Sequence, residues 1–538
     1  MTIPSTPELS RGISPALLVV LGGLLLLFGA ETALILWRNG GLLTYTLDDP
    51  YIHLALAENI WRGHYGVNME EVSAPSSSIL WPLLLAPLAG TGLGIWWPLV
   101  INLALSVASV WQVSLLLERV MGWSGQVLPR LLHGGLLGFF VLSTNMLGLA
   151  FTGMEHSLQL YCVVLTAWGL VEELETGKVS RTLMAALVMA PLVRYESLAV
   201  VAGGLLYLFA RGHRGRAVGL GLVVLMLLGA FSGFLVSLGL SPFPTSVMAK
   251  SAVVESGGKA GSIFGNLKQN LGSDRGMLLV ISGLVLAAYG LWEQAGRRWL
   301  ALGGGVAIVL HLMVGRYGWF NRYEIYIWAF VQLCLWVLVA PRLARLLAER
   351  SLREQVWKVL GLSGLALGAL CMHYVYALAL IPGAASNVYE QHYQMHRFAT
   401  QFYGKPVALN DLGYVAYQNP ACVLDLHGLA SLEALKMRKT RTDGDWIPPL
   451  TERYGVKLAM VYDAWFVGRI PGSWIKLGEL KLGRARVTIS EDAVAFYALS
   501  PEEVPVAQAA LEKFSTSLPP GVHFVMAAGE KKGETLGE

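Results

Sequence analysis

Two adjacent carboxylates, Asp48 and Asp49, come shortly after the first long apolar segment of the chain. That segment, from Leu17 to Trp37, has the length and composition of a membrane-spanning helix. Holding an acidic pair at a membrane surface costs desolvation free energy, so such a pair usually has a function. The sequence therefore predicts that this pair acts on a substrate that is delivered from the lipid.

Further polar residues interrupt the apolar sequence in later loops, and they supply two kinds of chemical group. Carboxylates can take and return protons, whereas Arg and Lys can hold an anionic group. The carboxylates expected to carry catalysis are Asp48, Asp49 and Glu155, and the candidate phosphate ligands are Arg194, Lys250, Arg316 and Arg322. The residues expected to orient an acceptor or to support these groups are His53, Asn68, His156, Glu196 and Tyr317.

Each of these candidates also has a purely structural interpretation. Asp48 and Asp49 could start a helix, since Asp favours the N-cap position. Glu155 could complement the dipole of the helix that begins at His156. Arg194 could pair with a neighbouring carboxylate at a break between helices, and the remaining cations could be interfacial anchors whose charges reach the headgroups.

Composition assigns the chain to the membrane proteins. Of its 538 residues 54% are hydrophobic and only 14% are charged, and its mean hydropathy is +0.53. Soluble domains carry about 25% charged residues, so a polytopic membrane protein with a more polar tail is expected. The net charge of +4 is explained by basic loops, and no nucleic-acid partner is expected.

The sequence contains no motif that requires a metal ion. Its four cysteines show neither a CxxC motif nor the spacing of a zinc site, and three lie inside apolar runs. His53 follows Asp49 by one helical turn, and the two residues could share a cation. Glu155 could also bind a metal ion. No dense carboxylate cluster requires an ion, so metal independence is the default and a divalent cation stays possible.

Eleven membrane spans are expected from the apolar runs. They are 14–37, 96–118, 131–151, 156–173, 182–194, 196–210, 217–240, 276–292, 299–315, 322–341 and 356–382. The first is expected to be retained, because it is too long for a signal peptide and lacks a small-residue cleavage site. Basic loops at 211–216, 297–298 and 342–358 predict a cytoplasmic N-terminus, with every candidate site residue and the C-terminal tail on the outer face.

Three apolar segments are short for membrane spans. Ile79 to Ala89 is expected to lie along the outer surface as a juxtamembrane helix within the outer loop 38–95. The short runs 182–194 and 196–210 are expected to form a broken pair of helices that meet at a polar elbow around Arg194.

The tail from residue 383 to 538 is expected to form an outer α/β domain that is separate from the membrane domain 1–382. Three runs are typical of buried strands: Val407–Asn410, Cys422–Leu426 and Leu458–Tyr462. Helices are expected to end near Tyr454 and to span Pro501–Phe514. Four polar residues here, Asp411, Tyr414, Asp425 and His427, are assigned a structural or acceptor-positioning role. The tail past Gly529 is expected to be disordered.

Sugar transfer from a lipid phosphate would use this set of groups. The leaving phosphate needs Arg or Lys to hold its charge, and the acceptor hydroxyl needs a carboxylate to take its proton. A single displacement inverts the anomeric centre and requires no nucleophilic carboxylate.

Six segments resemble membrane glycosyltransferases of the GT-C superfamily, and among these the arabinofuranosyltransferase-like branch. The segments are, in chain order, LDDPYIHLALAENIWRGHYGVN, SAPSSSILWPLLLAPL, TGMEH, VRYES, PFPTSVMAK and NDLGYVAYQNPACVLDLHGLAS. The first carries an Asp-Asp pair like that of the branch, and VRYES resembles its Arg-Pro-Glu elbow with Tyr195 in place of the proline. The matches span most of the chain in the same order.

The resemblance implies an inverting transferase in a bacterial inner membrane that faces the periplasm or the exterior. It would take a sugar, arabinofuranose being one candidate, from a polyprenyl phosphate and transfer it to a cell-envelope glycan, a glycolipid or a surface protein. The resemblance favours Asp48 over Asp49 as the base. A transporter or flippase of lipid-linked sugars is the alternative, although only one broken helix pair is found where two repeats would be expected. A non-catalytic assembly protein is a third hypothesis.

Overall fold

The computed structural model describes residues 14–121, 127–250, 260–293, 296–318 and 320–527. The tail past Gly529, for which disorder is expected from the sequence, lies outside these ranges. Within them the chain is mostly helical up to residue 403 and forms a mixed α/β domain after it.

Seventeen helices are described before the C-terminal domain. They are α1 (Pro15–Arg38), α2 (Asp49–Trp61), α3 (Leu80–Ala89), α4 (Trp97–Met121), α5 (Val127–Ser143), α6 (Met146–Phe151), α7 (His156–Thr176), α8 (Arg181–Val193), α9 (Leu198–Ala210), α10 (Arg214–Ser237), α11 (Thr245–Lys250), α12 (Ala260–Leu271), α13 (Asp274–Trp292), α14 (Gly296–Val314), α15 (Ile325–Ala348), α16 (Arg350–Leu370) and α17 (Met372–Val388).

The chain is a multi-pass membrane protein. Seven stretches of helix among the described residues are long and apolar enough to cross a membrane, and a bent pair formed by α16 and α17 would make eight. The apolar helices α8 and α9 fall short of a full span, with 13 residues each. The expected count of eleven spans therefore stays a prediction.

The predicted break between α8 and α9 is present. Arg194 follows α8 with extended backbone angles, φ −154° and ψ 134°, and a single 3₁₀ turn at Tyr195–Ser197 leads into α9. Pro191 lies in the last turn of α8, where its ring weakens the helical hydrogen bonding. The short apolar helix expected at Ile79 to Ala89 is likewise present as α3.

The connection to the C-terminal domain is helical. Helix α17 runs through Pro382 to Val388 and continues through two π-helical turns, Tyr389–Tyr393 and Phe398–Tyr403, with the short α18 (Gln394–Arg397) between them. Residue 383, where the domain boundary is expected, therefore lies within this continuous helical segment. This helical segment places His392 beside Asp48 of the first loop.

The C-terminal domain is built on one six-stranded sheet. Its elements are β1 (Val407–Leu409), α19 (Gly413–Ala416), β2 (Val423–Asp425), α20 (Leu432–Thr440), α21 (Ile447–Arg453), β3 (Leu458–Val461), β4 (Ile475–Lys481), β5 (Ala493–Ala498), α22 (Val504–Ser515) and β6 (His523–Met526). The strand order is β2-β1-β3-β5-β4-β6, in which β2, β1 and β3 are parallel and the other pairs are antiparallel.

Both faces of the sheet are covered, which explains the continuous apolar character of the three parallel strands. On one face Val407, Leu409 and Met460 join the core that includes α22. On the other face Ala408 and Ala459 pack with the side chains of α20 and α21. The three strands expected from the sequence are present, whereas β4, β5 and β6 were not predicted.

Candidate functional site

The structure brings several of the predicted site residues together where the first loop meets the C-terminal domain. Asp48 and Asp49 lie at the start of α2, and Arg322 from the loop between α14 and α15 forms an ion pair with Asp49. Glu155 and Arg194, from two further loops, pair with each other nearby. Four loops that are far apart in sequence therefore converge on one site.

Asp48 is held by the backbone of the C-terminal domain. Its Oδ2 accepts a hydrogen bond from Gly413 N at 2.6 Å, and its Oδ1 accepts one from Tyr414 N at 2.8 Å. A Cβ at Gly413 would overlap the Asp48 carboxylate, so this close approach requires glycine. The Tyr414 ring also packs on Tyr51 of α2, with ring centroids 4.0 Å apart. The loop and the domain therefore form one packed unit.

Burial and charge act on Asp48 in opposite directions. Burial raises the pKa of its carboxyl to about 7, His392 and the Tyr414 amide lower the pKa, and Asp411 and Asp49 raise it. The protonated form of this carboxyl is therefore more favoured than it is in an exposed aspartate. Sequence reasoning assigned Asp411 a supporting role and did not find His392, which lies in a helical run without a motif.

Asp49 and Arg322 form the second part of the site. Asp49 Oδ2 accepts from Arg322 Nη2 at 2.5 Å, and the same Nη2 lies 3.0 Å from the Tyr323 hydroxyl. The Arg322 side chain is almost completely buried, yet its Nε and Nη1 have no hydrogen-bond partner among the described residues. A buried guanidinium edge with unused donors is costly and is suited to an anion.

The loop that carries Arg322 has an unusual backbone. Gly318, Phe320 and Asn321 all have positive φ, at 86°, 61° and 54°. For Phe320 this is a strained conformation, and such strain persists only when the surroundings impose it. Here Asn145 Nδ2 donates to the carbonyl oxygens of Phe320 and Asn321, and Arg275 contacts the Asn321 side chain. These contacts fix the position of Arg322.

Glu155 and Arg194 form a buried ion pair between two further loops. Arg194 Nη1 donates to Glu155 Oε1 at 2.5 Å, and its other two nitrogens donate to Glu196 at 2.7 and 3.3 Å. Burial opposes ionisation of Glu155, but Arg194 and then His53 hold the pKa of that carboxyl below its ordinary value. Because all three nitrogens of Arg194 are engaged, this residue is better placed to position Glu155 than to bind a phosphate.

Tyr323 and His53 connect the two ion pairs. The guanidinium groups of Arg322 and Arg194 lie 4.9 and 5.7 Å from the centroid of the Tyr323 ring. His53, one turn after Asp49 on α2, contacts Ser76 at 3.1 Å and Glu155 at 3.7 Å. His156 also faces Tyr323, with ring centroids 6.3 Å apart. The polar groups thus form a continuous network around the start of α2.

Four other predicted residues are not brought to the centre of this network. Arg316 is exposed, and Tyr317 packs edge-on against His311 with ring centroids 5.2 Å apart. Asn68 pairs with both backbone groups of Val423 in β2, at 2.9 and 3.0 Å, and borders a separate cavity of about 340 Å³. The side chain of Lys250 lies outside the described part of the chain.

Asp48, His392 and Asp411 can hold a metal ion. One ligand atom from each lies within 4.8 Å of the others, and the pocket beside them, bordered also by Asp49, has a volume of about 40 Å³. One imidazole nitrogen and two carboxylate oxygens form a donor set that Zn²⁺ and Mn²⁺ accept. The pocket has room for an ion, since roughly 10–15 Å³ of such cavity volume is enough for one water molecule. These residues therefore fit the divalent cation that the sequence left possible.

Comparisons with known proteins identify one domain and a distant structural likeness. Residues 385–497 match a family described as a domain of unknown function (DUF8728). No curated protein sequence matches the chain.

Among solved structures the chain is similar to the Archaeoglobus fulgidus oligosaccharyltransferase in three forms, each at 12% sequence identity. The complex with Zn and sulfate has a TM-score of 0.45 over 95% of this chain and 75% of the other. The apo form has a TM-score of 0.47 over 95% and 76%. The form tethered to an acceptor peptide with the NVT sequon has a TM-score of 0.45 over 96% and 76%. At this level of similarity the likeness assigns no activity to the chain.

Proposed function

We propose that this protein is a membrane glycosyltransferase that moves a sugar from a lipid-linked phosphate donor to a hydroxyl acceptor. The observation that carries the proposal is the Asp49–Arg322 pair, in which a carboxylate lies beside a buried guanidinium edge with unused donors. A base for the acceptor and an anion site for the leaving group are the two groups that this transfer requires. The many apolar helices suit a donor whose tail remains in the bilayer.

The reaction would be a single displacement at the anomeric carbon. Asp49 takes the proton of the acceptor hydroxyl as its oxygen attacks, and a new carbon–oxygen bond forms. The bond between the anomeric carbon and the phosphate oxygen breaks, and its electron pair leaves with the phosphate. Arg322 Nε and Nη1 hold the negative charge that develops there. The product has inverted configuration because no covalent enzyme intermediate forms.

Asp49, rather than Asp48, suits the role of base by its accessibility. Both residues border the small pocket, but Asp49 is partly exposed, whereas Asp48 is buried and both its oxygens accept backbone hydrogen bonds. A base must reach the proton it abstracts. Asp48 would then connect the reacting loop to the C-terminal domain.

The neighbouring groups would position the reacting pair. The positive charge of Arg194 is paired with the carboxylates of Glu155 and Glu196. The Arg194 guanidinium also packs on the Tyr323 ring, which lies next to Arg322, and these contacts would hold Tyr323 in place. A divalent cation bound by Asp48, His392 and Asp411 would add positive charge near the donor phosphate. His53 supports Glu155 and completes the link to α2.

The identity of the donor and the site's place in the cell follow the sequence resemblance. We take the donor to be a sugar on a polyprenyl phosphate, with arabinofuranose as the first candidate, and the acceptor to be a cell-envelope glycan, glycolipid or surface protein. We place the site on the outer face of a bacterial inner membrane. An assay of the purified chain with a panel of polyprenyl-phosphate sugars, with and without chelator, tests these choices together. No sugar released or transferred from any donor would contradict the proposal.

A further inference from the structure

The pocket beside Asp49 is too small for a sugar in this structure. Its volume is about 40 Å³, which is enough for an ion or a water molecule. Pockets that enclose a small organic ligand have volumes of about 300–1,000 Å³. A hydroxyl group that is carried on a sugar ring could therefore reach Asp49 only if part of the pocket wall moves.

One wall of this pocket is a loop of the C-terminal domain. Residues 488–490 border the pocket, and they belong to the connection between β4 and β5, residues 482–492, which we call the β4–β5 loop. Leu482 N donates to Asp492 O at 3.1 Å, so the two ends of this loop lie side by side. Compact loops with adjacent ends are frequently functional.

The β4–β5 loop is held together by contacts of its own. The Arg486 guanidinium lies 3.5 Å from a carboxylate oxygen of Glu491 and 3.6 Å from one of Asp492. It also donates to the carbonyl oxygen of Ser490. Residues 483–486 are exposed on the outside of the loop. Because these contacts join its two halves, the loop can move as one unit.

Polar side chains fasten the loop to the end of α17 and the helical turn that follows. Asn387 Oδ1 accepts from Val487 N at 2.8 Å, and its Nδ2 donates to Ala485 O at 3.1 Å. Gln391 Nε2 donates to Glu491 O at 2.9 Å. Both side-chain groups of Asn387 are thus used to hold the loop in the closed position.

The remaining fastenings are also mainly polar. Arg484 pairs with Glu390, and the Thr488 hydroxyl donates to Thr46 O at 2.6 Å. Within residues 482–492, all of which the structure describes, Ile489 is the one buried apolar side chain. Hydrogen bonds that are exchanged for bonds to water change the stability little, whereas large apolar contacts are costly to lose. Opening the loop would therefore cost little.

The other polar residues around the pocket are held more firmly. Asp48 accepts two backbone hydrogen bonds, and Asp49 pairs with the buried Arg322. His392 is completely buried in the helical segment, and it lies 3.1 Å from Asp411, which comes just after β1. The β4–β5 loop is therefore the wall that can move with the smallest loss of packing.

We propose that the β4–β5 loop is a gate that opens to admit the acceptor to Asp49 and closes before transfer. The gate rests on the proposed function for the identity of its ligand, an acceptor with a reacting hydroxyl. In the closed position the loop shields the pocket from water, which would otherwise take the place of that hydroxyl and release free sugar. Closure would thus favour transfer over hydrolysis of the donor.

A disulfide between α17 and the loop tests the gate. A Cβ at Gly383 would lie 3.4 Å from Val487 Cγ2, so cysteines at these two positions are close enough to be joined. Oxidation of the purified full chain carrying Gly383→Cys and Val487→Cys should lower sugar transfer about tenfold or more, and dithiothreitol should restore it. The two single variants, oxidised in the same way, are the matched controls and should keep their activity, since the native cysteines are buried.

Hydrogen exchange measures the opening without any activity. The amides of Gly483 and Val487 donate to Glu390 and Asn387 in the closed loop. We expect these amides to exchange about tenfold or more faster than those of β5, and oxidation of the double variant to remove most of this difference. Asn387→Ala should make the loop exchange faster still, because it removes two of the fastenings.

The two measurements separate the gate from the proposed function. If the oxidised double variant transfers sugar as fast as its reduced form, or if the loop exchanges as slowly as β5, the gate is wrong, whatever the chain does with lipid-linked donors. If the loop opens but the wild-type chain transfers no sugar from any such donor, the opening stands and the transferase does not. Unfolding temperatures of the oxidised and reduced variants exclude loss of fold as the cause.

Discussion

Residues that look alike in the sequence have different partners and different proposed tasks in the structure. Arg194 and Arg322 are both buried, but all the nitrogens of Arg194 are engaged by carboxylates, whereas Arg322 keeps two donors unused. Asp48 and Asp49 are adjacent, but one binds backbone amides and the other binds an arginine. Partners, rather than residue type, distinguish a positioning group from a reacting one.

Arg322 is expected to be the cation on which the donor phosphate depends. Replacing Arg322 with Gln should lower kcat/KM for the lipid-linked donor by about 10²–10³-fold, as loss of a donor to developing negative charge does elsewhere. Arg322→Lys should recover little of this, because an ammonium cannot present two fixed donors. Steady-state kinetics against donor concentration measure both, with Arg441→Gln at an exposed arginine as control. An equal loss of kcat/KM in the control, or no loss in Arg322→Gln, would contradict the assignment of Arg322 to the donor phosphate.

Sequence could find these residues as candidates but could not pair them. Asp49 and Arg322 are 273 positions apart, and Glu155 and Arg194 are 39 apart, so only the packing of the helices decides which meet. His392 was missed because it lies in an ordinary polar run of a helix and acquires significance only from Asp48 and Asp411. The position of Tyr323 between two arginines is likewise not visible along the chain.

At the scale of elements, the contact between α2 and α19 couples the first loop to the C-terminal domain. Gly413→Ala should disturb it, since the added methyl group would meet the backbone and carboxylate of Asp48. Overpacking of this kind costs about 1–3 kcal/mol. We expect a lower unfolding temperature and reduced transfer activity, both measured on the purified chain. Gly472→Ala, where an added Cβ meets nothing within 4 Å, should change neither.

A second contact between the same parts should depend on pH through Glu71. Burial raises the pKa of this carboxyl to about 7, Ser431 and Tyr454 lower it by hydrogen bonding, and Asp425 and Glu433 raise it. A carboxyl whose pKa is higher in the folded state stabilises that state below its unfolded pKa, near 4.5, and this contribution is lost as the pH rises through about 7.

Glu71→Gln should therefore raise the unfolding temperature at pH 8 by a few degrees and leave it nearly unchanged at pH 4.5. Unfolding temperatures of both proteins between pH 4.5 and 8 measure the difference. Asp425, whose pKa burial also raises, to about 6, is present in both proteins, so the comparison isolates the change at Glu71. If the difference in unfolding temperature between the two proteins is the same from pH 4.5 to pH 8, Glu71 does not titrate in that range.

The elements themselves were predicted unevenly, and the reasons are physical. The parallel strands β1, β2 and β3 are buried on both faces, so they appear as apolar runs that sequence reasoning finds. Strand β4 (Ile475–Lys481) mixes Lys, Gly and Glu with apolar residues, and β6 is an exposed edge strand, so neither has a clear periodicity. The boundary at residue 383 was expected where the apolar runs stop, and the helix α17 continues past it to Val388.

The proposed function requires all the loops of the site to lie on the outer face of the membrane. The contacts among the first loop, the loops at 155 and 194 and the loop at 322 are consistent with a single side, because side chains on opposite faces could not touch. Which side this is depends on the basic loops alone.

Cysteine labelling in intact cells tests the orientation. Glu70→Cys, in the first loop, should react with a membrane-impermeant maleimide, whereas Arg214→Cys, at the exposed start of α10, should react only after the membrane is opened. The four native cysteines are buried, so the background should be low. The reverse pattern would place the site in the cytoplasm and remove the proposed cell-envelope acceptor.

The most direct test of the central claim is sugar transfer by purified Asp49→Asn, compared with wild type, on the polyprenyl-phosphate donor that the wild-type chain accepts. The substitution keeps the size of the side chain and removes the group that would take the acceptor proton. We expect transfer to fall by at least 10³-fold, with an unchanged unfolding temperature and donor binding that persists. Transfer at the wild-type rate by a folded Asp49→Asn protein would show that this carboxylate is not the base and would contradict the account.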